Sequence, residues 1–298
     1  MSELEVCDIS VSELIDDFLI KKSLEDNDRD NLIFHPSEFH GCKRKISYQY
    51  HEATGFINVV LDQYSVNTRL CRIFDNGHKV HDRYKEYLSD PRCAPGLLKG
   101  RWKCKNKWAH NEPKIVGLEE KFGVFRPETP CECGSTEYEY VEVGFLSEVY
   151  NIGGHVDVIL FLPNGQHIII DFKSIGYRGF DRLFAQPEDK HYTQMQLYLF
   201  LSGEEAGKFL YEDKNDQRIK EFLVIRDQKY IDRLLIYAEH LKDIVTYEGP
   251  NGQRKLAPRS NSTFPETDDS PYLVKYTPKH YECINCRFKN NCYKKDKK

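Results

Sequence analysis

The stretch Gly153-Gly154-His155-Val156-Asp157-Val158-Ile159-Leu160-Phe161-Leu162-Pro163-Asn164-Gly165-Gln166-His167-Ile168-Ile169-Ile170-Asp171-Phe172-Lys173-Ser174 decides how this chain of 298 residues is read. Two apolar, β-branched runs, His155–Leu162 and His167–Phe172, flank Pro163-Asn164-Gly165-Gln166, and Asn-Gly is a strong hairpin-turn signal. Antiparallel pairing about position 164 brings positions 157 and 171 together, because both lie equally far from it. Asp171 and Lys173 are two apart and therefore share a sheet face. Two carboxylates and one ammonium thus converge beside an otherwise apolar hairpin. Oxygen ligands of this kind suit hard cations such as Mg²⁺ or Mn²⁺. Such a metal lowers the pKa of a bound water and neutralises charge on a phosphoryl oxygen, while a lysine stabilises an attacking hydroxide or a developing anion. Taken alone, an acid-x-Lys pair is more often an ordinary surface salt bridge.

Outward from the hairpin, Tyr138–Tyr150 reads as a preceding strand, with Glu148 on it as a further metal or outer contact. The segment Tyr64–Leu88 reads as a helix whose stripe carries Phe74, Gly77, His81, Tyr84 and Leu88. A histidine on such a stripe is a packed core residue in many proteins. Asp189–Leu201 fits a helix that puts Gln194 and Tyr198, at i and i+4, on one face. An amide and a phenol there can hydrogen-bond a phosphate or a base, or else Tyr198 is a core residue beside a surface glutamine. Lys208–Asp213 and Glu221–Asp227 read as a second hairpin, Lys229–Thr246 as a helix, and 249–271 as a loop.

Composition narrows the function class. The chain holds 43 Lys+Arg against 47 Asp+Glu, a net charge of −4, yet 30% charged residues accompany 13% aromatics, a mix that argues against disorder. No strictly apolar run exceeds five residues, whereas a membrane span needs about 20. The acidic N-terminus lacks the layout of a signal peptide, so a soluble, cytoplasmic protein is expected, in a host cytoplasm if the source is viral. The near-zero net charge hides a gradient: residues 1–32 carry ten acids and three bases, and residues 275–298 eight bases and two acids. Lys99-Gly-Arg101-Trp102-Lys103-Cys104-Lys105-Asn-Lys107-Trp108 interleaves five bases with two tryptophans, which suits a strand offering phosphates and stacking bases or, equally, a solvated loop. Ten cysteines in a reducing compartment point to metal ligation rather than disulfides.

The order Gly154-His-Val-Asp157, hairpin, Asp171-Phe-Lys173 resembles the PD-(D/E)xK nuclease superfamily. Gln194-Met-Gln-Leu-Tyr198 downstream and Gly77-His-Lys-Val-His81 upstream resemble the Q-x-x-x-Y and helical-histidine motifs of its RecB-like branch. The resemblance implies a restriction-endonuclease-like α/β fold, a central mixed sheet flanked by helices. It implies metal-dependent hydrolysis of DNA phosphodiester bonds, with single-stranded DNA attacked from an end in recombination, repair or replication. Asp157, Asp171 and His81 would hold Mg²⁺ or Mn²⁺, the imidazole favouring Mn²⁺, and Lys173 would support the nucleophile. Gln194 and Tyr198 would align the strand, and a helicase or recombination protein would be the partner. The competing reading is a non-catalytic DNA-binding or redox-responsive iron–sulfur module, which the intact Asp–Asp–Lys set argues against.

Cys283-x2-Cys286-x5-Cys292, with Cys42 far upstream in HPSEFHGCKRKISY, resembles the layout by which some RecB-like nucleases hold a 4Fe–4S cluster. CRISPR-associated exonucleases, a bacterial recombination helicase–nuclease subunit and related viral proteins carry it. Four thiolates suit that cluster or a structural Zn²⁺. Residues 91–136 resemble a zinc ribbon of phage members of this group: Gly100-Arg-Trp102-Lys-Cys104 fits, His110 substitutes for the missing second ligand, and Cys131-Glu-Cys133-Gly134 is one residue short. Cys93 is an alternative ligand, a metal-free loop is an alternative state, and Cys7 and Cys71 read as ordinary thiols. The expected organisation is a helical N-terminal part over 1–90 carrying Cys42 and His81, the zinc-ribbon-like insertion over 91–136, the nuclease core over 137–248, and a loop with the cysteine-rich iron–sulfur tail over 249–298.

Overall fold

A computed structural model describes residues 10–25, 29–57, 66–264, 267–269 and 273–293; Cys7 lies outside them. Helix α1 (Val11–Glu25) leads to α2 (Lys43–Ala53) and the long α3 (Thr68–Ser89), which starts where the Asn67 side chain accepts the Leu70 N–H at 3.0 Å. That bond satisfies one of the donors a helix start leaves orphaned. Strands β1 (Leu98–Cys104), β2 (Ile115–Val116), β3 (Val124–Phe125) and β4 (Tyr138–Val141) follow, then β5 (Val143–Ser147), β6 (Ile152–Val156), β7 (Val158–Phe161) and β8 (His167–Ile175). The short α4 (Tyr177–Arg182) and α5 (Asp189–Ser202) precede β9 (Ala206–Asp213), β10 (Ile219–Ile225) and α6 (Gln228–Thr246). Two short helices, α7 (Tyr281–Ile284) and α8 (Lys289–Tyr293), carry the tail cysteines.

The main sheet runs β10-β9-β8-β7-β1-β2, with β3 and β4 also on β1, and β5 and β6 form a separate pair. β8 and β9 are parallel and the other pairs antiparallel, so the fold is mixed α/β with a central mixed sheet flanked by helices. The β7–β8 hairpin has the register expected from its Asn-Gly turn: Val158 faces Ile170 and Phe161 faces His167. Gly165 supplies the turn's φ of 85°, a region that costs a residue with a Cβ.

Alternation along β8 sorts two cores. Ile169 packs with Met195, Tyr198 and Leu199 of α5 and with Phe209, whereas Ile170 and Phe172 pack with Trp102, Tyr84 and Leu88 on the α3 side. Helices α3 and α5 therefore cover opposite faces of the same strand. A third core joins α2, α5 and α6 around Phe34, Leu197, Ile231 and Leu241.

Residues 91–136 do not stand apart as a complete insertion. The first end of β1 pairs with β7 (Leu98 with Leu160, Lys99 with Ile159), and its other end pairs with β4 and β2. Leu98, Trp102 and Cys104 alternate inward along β1, and burying that apolar row is what ties the segment to the sheet. Among the described residues, no helix is long and apolar enough to cross a membrane.

Candidate active site

The strand 152–161 breaks at Asp157, where the chain leaves its pairing with β5 and begins its pairing with β8. The Asp157 side chain stitches the break. Its Oδ2 accepts the Phe172 backbone N–H at 2.7 Å, and its Oδ1 lies 3.0 Å from His81 Nδ1. Asp171 stands opposite and is 3% exposed. Its Oδ2 accepts from Gln194 Nε2 at 3.3 Å, and the same amide group donates to Tyr198 Oη at 3.1 Å. Asp171 Oδ1 is ion-paired with the Lys173 ammonium but makes no well-directed hydrogen bond, so it keeps accepting capacity. The sequence-predicted Asp157, Asp171, Lys173, Gln194, Tyr198 and His81 thus come together from β8, α3, α5 and the β6–β7 break.

Burial opposes ionisation of both carboxyls. At Asp157 the hydrogen bond and charge of His81, the charge of Lys173 and the Phe172 amide outweigh it, and the carboxyl is held below its ordinary value. At Asp171 burial dominates, Lys173 offsets it in part, and Asp157 adds repulsion, so that carboxyl is pushed up to about 6. The donor set, two carboxylates with an under-used oxygen beside an imidazole, fits a divalent cation of the Mg²⁺ or Mn²⁺ type.

Helix α3 delivers His81 from the sheet face opposite α5. Tyr84 stacks on Phe172 at 5.2 Å between ring centres, and the His81 ring meets the same phenylalanine edge-on at 6.1 Å. The buried Glu212 fixes the helix by accepting from Tyr84 Oη at 2.6 Å and pairing with Arg83. The helix stripe expected from the sequence is present through Leu88, although Phe74 on it is exposed. With Nδ1 committed to Asp157, His81 holds that carboxylate in place.

Glu148 is a correction. It lies exposed in the turn between β5 and β6, where its carbonyl accepts from Lys242 Nζ at 3.1 Å, at the end of the hairpin away from Asp157. The expected strand 138–150 is two strands broken at Glu142 and closed by a turn at 148–151, so the two acids exchange places. Val143 pairs with Val156, which sets Glu142 beside Asp157. Lys85 Nζ donates to Glu142 Oε1 at 3.0 Å. Burial raises the Tyr198 phenol, and the negative charges of Asp171, Asp157 and Glu142 add to that push. The sequence signal for Glu142 was its register with Asp157 across the turn, masked by reading one continuous strand.

The second group is Cys104, His110, Cys131 and Cys133, whose ligand atoms all lie within 4.8 Å of one another. Cys104 Sγ and Cys133 Sγ are 3.7 Å apart, and Cys131 Sγ and His110 Nε2 are 3.4 Å apart. A tetrahedron with Zn–S of about 2.3 Å and Zn–N of about 2.0–2.1 Å has S–S and S–N edges of about 3.8 and 3.6 Å. The four side chains therefore have the spacing of a closed Cys₃His metal site. The Cys131 N–H donates to the Ser135 carbonyl at 2.8 Å, and Gly134 at φ 81° turns the knuckle. Hydrogen bonding from the Ser135 backbone leads the causes that lower Cys133 to about 7, toward the thiolate a metal needs. The flanking tryptophans differ: Trp102 is 1% exposed and donates from Nε1 to the Val124 carbonyl at 3.0 Å, whereas Trp108 is 99% exposed.

The third group is looser. Cys42, Cys283, Cys286 and Cys292 line one cavity together with Arg44, Lys45, Tyr48, Arg259 and Tyr293. Cys42 caps α2, and burial pushes its thiol up to about 11 against the backbone N–H groups of Lys45 and Arg44. Among the described residues only the Cys104 group closes to within 4.8 Å.

No family model and no curated protein matches the chain. Among solved structures, the crystal structure of SSO0001 is similar over 78% of this chain and 86% of that one, at 18% identity and a TM-score of 0.39. An alkaline exonuclease, LHK-Exo from Laribacter hongkongensis, is similar over 72% of this chain and 87% of that one, at 12% identity and a TM-score of 0.41. Its complex with dAMP gives the same coverage and TM-score at 11% identity.

Proposed function

We propose that this chain is a divalent-metal-dependent nuclease that hydrolyses DNA phosphodiester bonds, preferring single-stranded DNA ends. The observation that supports this most is the convergence of Asp157, Asp171, Lys173, Gln194 and Tyr198 on one buried spot. Asp157 and Asp171 hold Mg²⁺ or Mn²⁺, with Glu142 beside them and His81 as orienter or ligand. The bound cation supplies a water of lowered pKa and offsets negative charge on the phosphoryl group. Lys173 stabilises the nucleophile and the developing anion from a site shielded from bulk water, where a fixed charge acts strongly. Tyr198 donates to the phosphate or base while Gln194 Nε2 holds its oxygen, and the pair sets the strand's position.

On this reading Cys104, His110, Cys131 and Cys133 hold a structural Zn²⁺. The Cys42, Cys283, Cys286 and Cys292 cavity holds a 4Fe–4S cluster that staples the two ends of the chain. A helicase or recombination protein supplies the single strand. Incubating the purified chain with end-labelled linear and with circular single-stranded DNA, with and without Mn²⁺, tests the proposal. Loss of label from the linear substrate only, and only with metal, is expected. Binding without cleavage under every metal tried would overturn it.

A further inference from the structure

Helix α5 carries a third polar residue on the face that holds Gln194 and Tyr198. His191 is three residues before Gln194 and seven before Tyr198, so the three form one row. Its ring packs 5.9 Å from the Phe209 ring centre, and the Lys173 ammonium lies 5.8 Å from the same centre. Tyr211, fully buried and paired in register with Lys173 on the neighbouring strand, places its hydroxyl 2.7 Å from His191 Nδ1.

That hydroxyl decides the tautomer. Tyr211 Oη accepts the Glu188 backbone N–H at 3.2 Å, and a peptide nitrogen accepts nothing in return. The buried phenol hydrogen therefore goes to His191 Nδ1, and the ring proton sits on Nε2. The Glu188 carboxylate is 3.6 Å from Nδ1, beyond hydrogen-bond range, and its near oxygen is ion-paired with Lys190 at 2.8 Å without a well-directed hydrogen bond. His191 is thus a neutral imidazole with a fixed Nε2–H donor, and its side chain keeps 15% exposure. The first turn of α5 also lines a groove of about 820 Å³ through Glu188, Asp189 and Lys190, with His40, Phe74 and Tyr281 around it.

We propose that His191 contacts the substrate, donating through Nε2–H to a backbone phosphate oxygen of the DNA strand next to the scissile phosphate. This rests on the nuclease reading and lengthens its strand-positioning row by one residue, toward the groove. The groove wall carries Lys45, Lys190 and Arg287 alongside Glu38, Glu188, Asp189 and Glu282, so its acids are offset by bases where a strand would lie.

The test uses the full chain with Mn²⁺ and a fluorescein-labelled single strand bearing single methylphosphonate linkages that flank the cut. His191→Asn keeps an acceptor for Tyr211 but withdraws the donor. It should raise KM about tenfold with kcat nearly unchanged, the loss expected for one hydrogen bond to a charged group. His191→Gln, whose amide reaches the Nε2 position, should stay near the wild-type KM. One methylphosphonate position should raise the wild-type KM by a similar factor and leave His191→Asn indifferent. Tyr211→Phe, a near-isosteric change that frees the tautomer, should raise KM in the same phosphate-dependent way. An unchanged KM for His191→Asn or Tyr211→Phe, or equal methylphosphonate sensitivity in wild type and variant, overturns the proposal. A wild-type chain that cuts no substrate instead sinks the nuclease reading itself, before any His191 variant is measured.

Discussion

Cys131→Ser removes one of four ligands whose spacing, 3.7 Å between Cys104 and Cys133 and 3.4 Å from Cys131 to His110, already matches a tetrahedral zinc. Structural zinc contributes about 10–16 kcal/mol of binding free energy in isolated fingers, and on the proposed zinc reading that energy would hold the lobe beyond Cys104. The lobe is tied to the sheet by Trp102 of β1, packed edge-on to Tyr140 at 5.5 Å, and by Phe122, stacked on His167 at 4.2 Å, and truncating one such side chain costs about 3–5 kcal/mol. Without the metal, these anchors and the short β2 and β3 pairings with β1 must offset the entropy of the loops from 105 to 137, at about 1–2 kcal/mol per ordered backbone residue. The lobe should open while β7, β8 and β9 stay paired. The two tryptophans provide the assay, since Trp102 is 1% and Trp108 99% exposed. In a Trp108→Phe background, emission reports Trp102 alone. Wild type should contain about one zinc per chain and emit in the blue, and Cys131→Ser or a strong chelator should remove the zinc and move the emission to the red. Zinc-free wild type whose blue emission ignores both treatments would refute the reasoning and leave the four residues as packing.

Tyr198→Phe deletes the hydroxyl that accepts from Gln194 Nε2 and should lower turnover about tenfold with thermal stability changed by no more than about 1 kcal/mol, measured by cleavage rate and melting. An unchanged rate with lowered stability marks Tyr198 as a core residue only. Cys286→Ser should discard the brown colour of anaerobically purified protein and lower its stability, while the activity per folded molecule holds; colourless wild type containing only zinc contradicts the cluster. Gly123→Ala would place a Cβ 2.1 Å from the Gly100 carbonyl oxygen at a φ of 67°, so backbone must move. It should cost well over the roughly 1 kcal/mol of an ordinary left-handed residue, read as a drop in melting temperature.

The meeting of positions 157 and 171 was legible because an Asn-Gly turn fixes hairpin register, and register fixes which side chains face each other. The Gln194–Tyr198 face was legible for the matching reason in a helix. What sequence reading missed lay in non-local pairing. Nothing local to Lys99–Cys104 says that β1 joins β7, so a strand of the main sheet reads as part of an insertion, and the buried Trp102 reads as a stacking platform. Glu142 was hidden because a break between two sheets leaves no mark in an alternating strand. His191 was hidden because its partner, Tyr211, arrives from a parallel strand beyond a helix.

The most direct test of the central claim is the single-turnover cleavage rate of 5′-labelled single-stranded DNA in Mn²⁺, wild type against Lys173→Ala. Lys173 pairs with Asp171 and its ammonium lies 5.8 Å from the centre of the Phe209 ring, so Lys173→Ala removes a charge from the site and leaves the β8 backbone pairing in place. The account predicts that Lys173→Ala cuts at least about 10²-fold more slowly, as for other fixed charges at a developing anion, while DNA binding stays close to wild type. A Lys173→Ala variant that cuts as fast as wild type would contradict it.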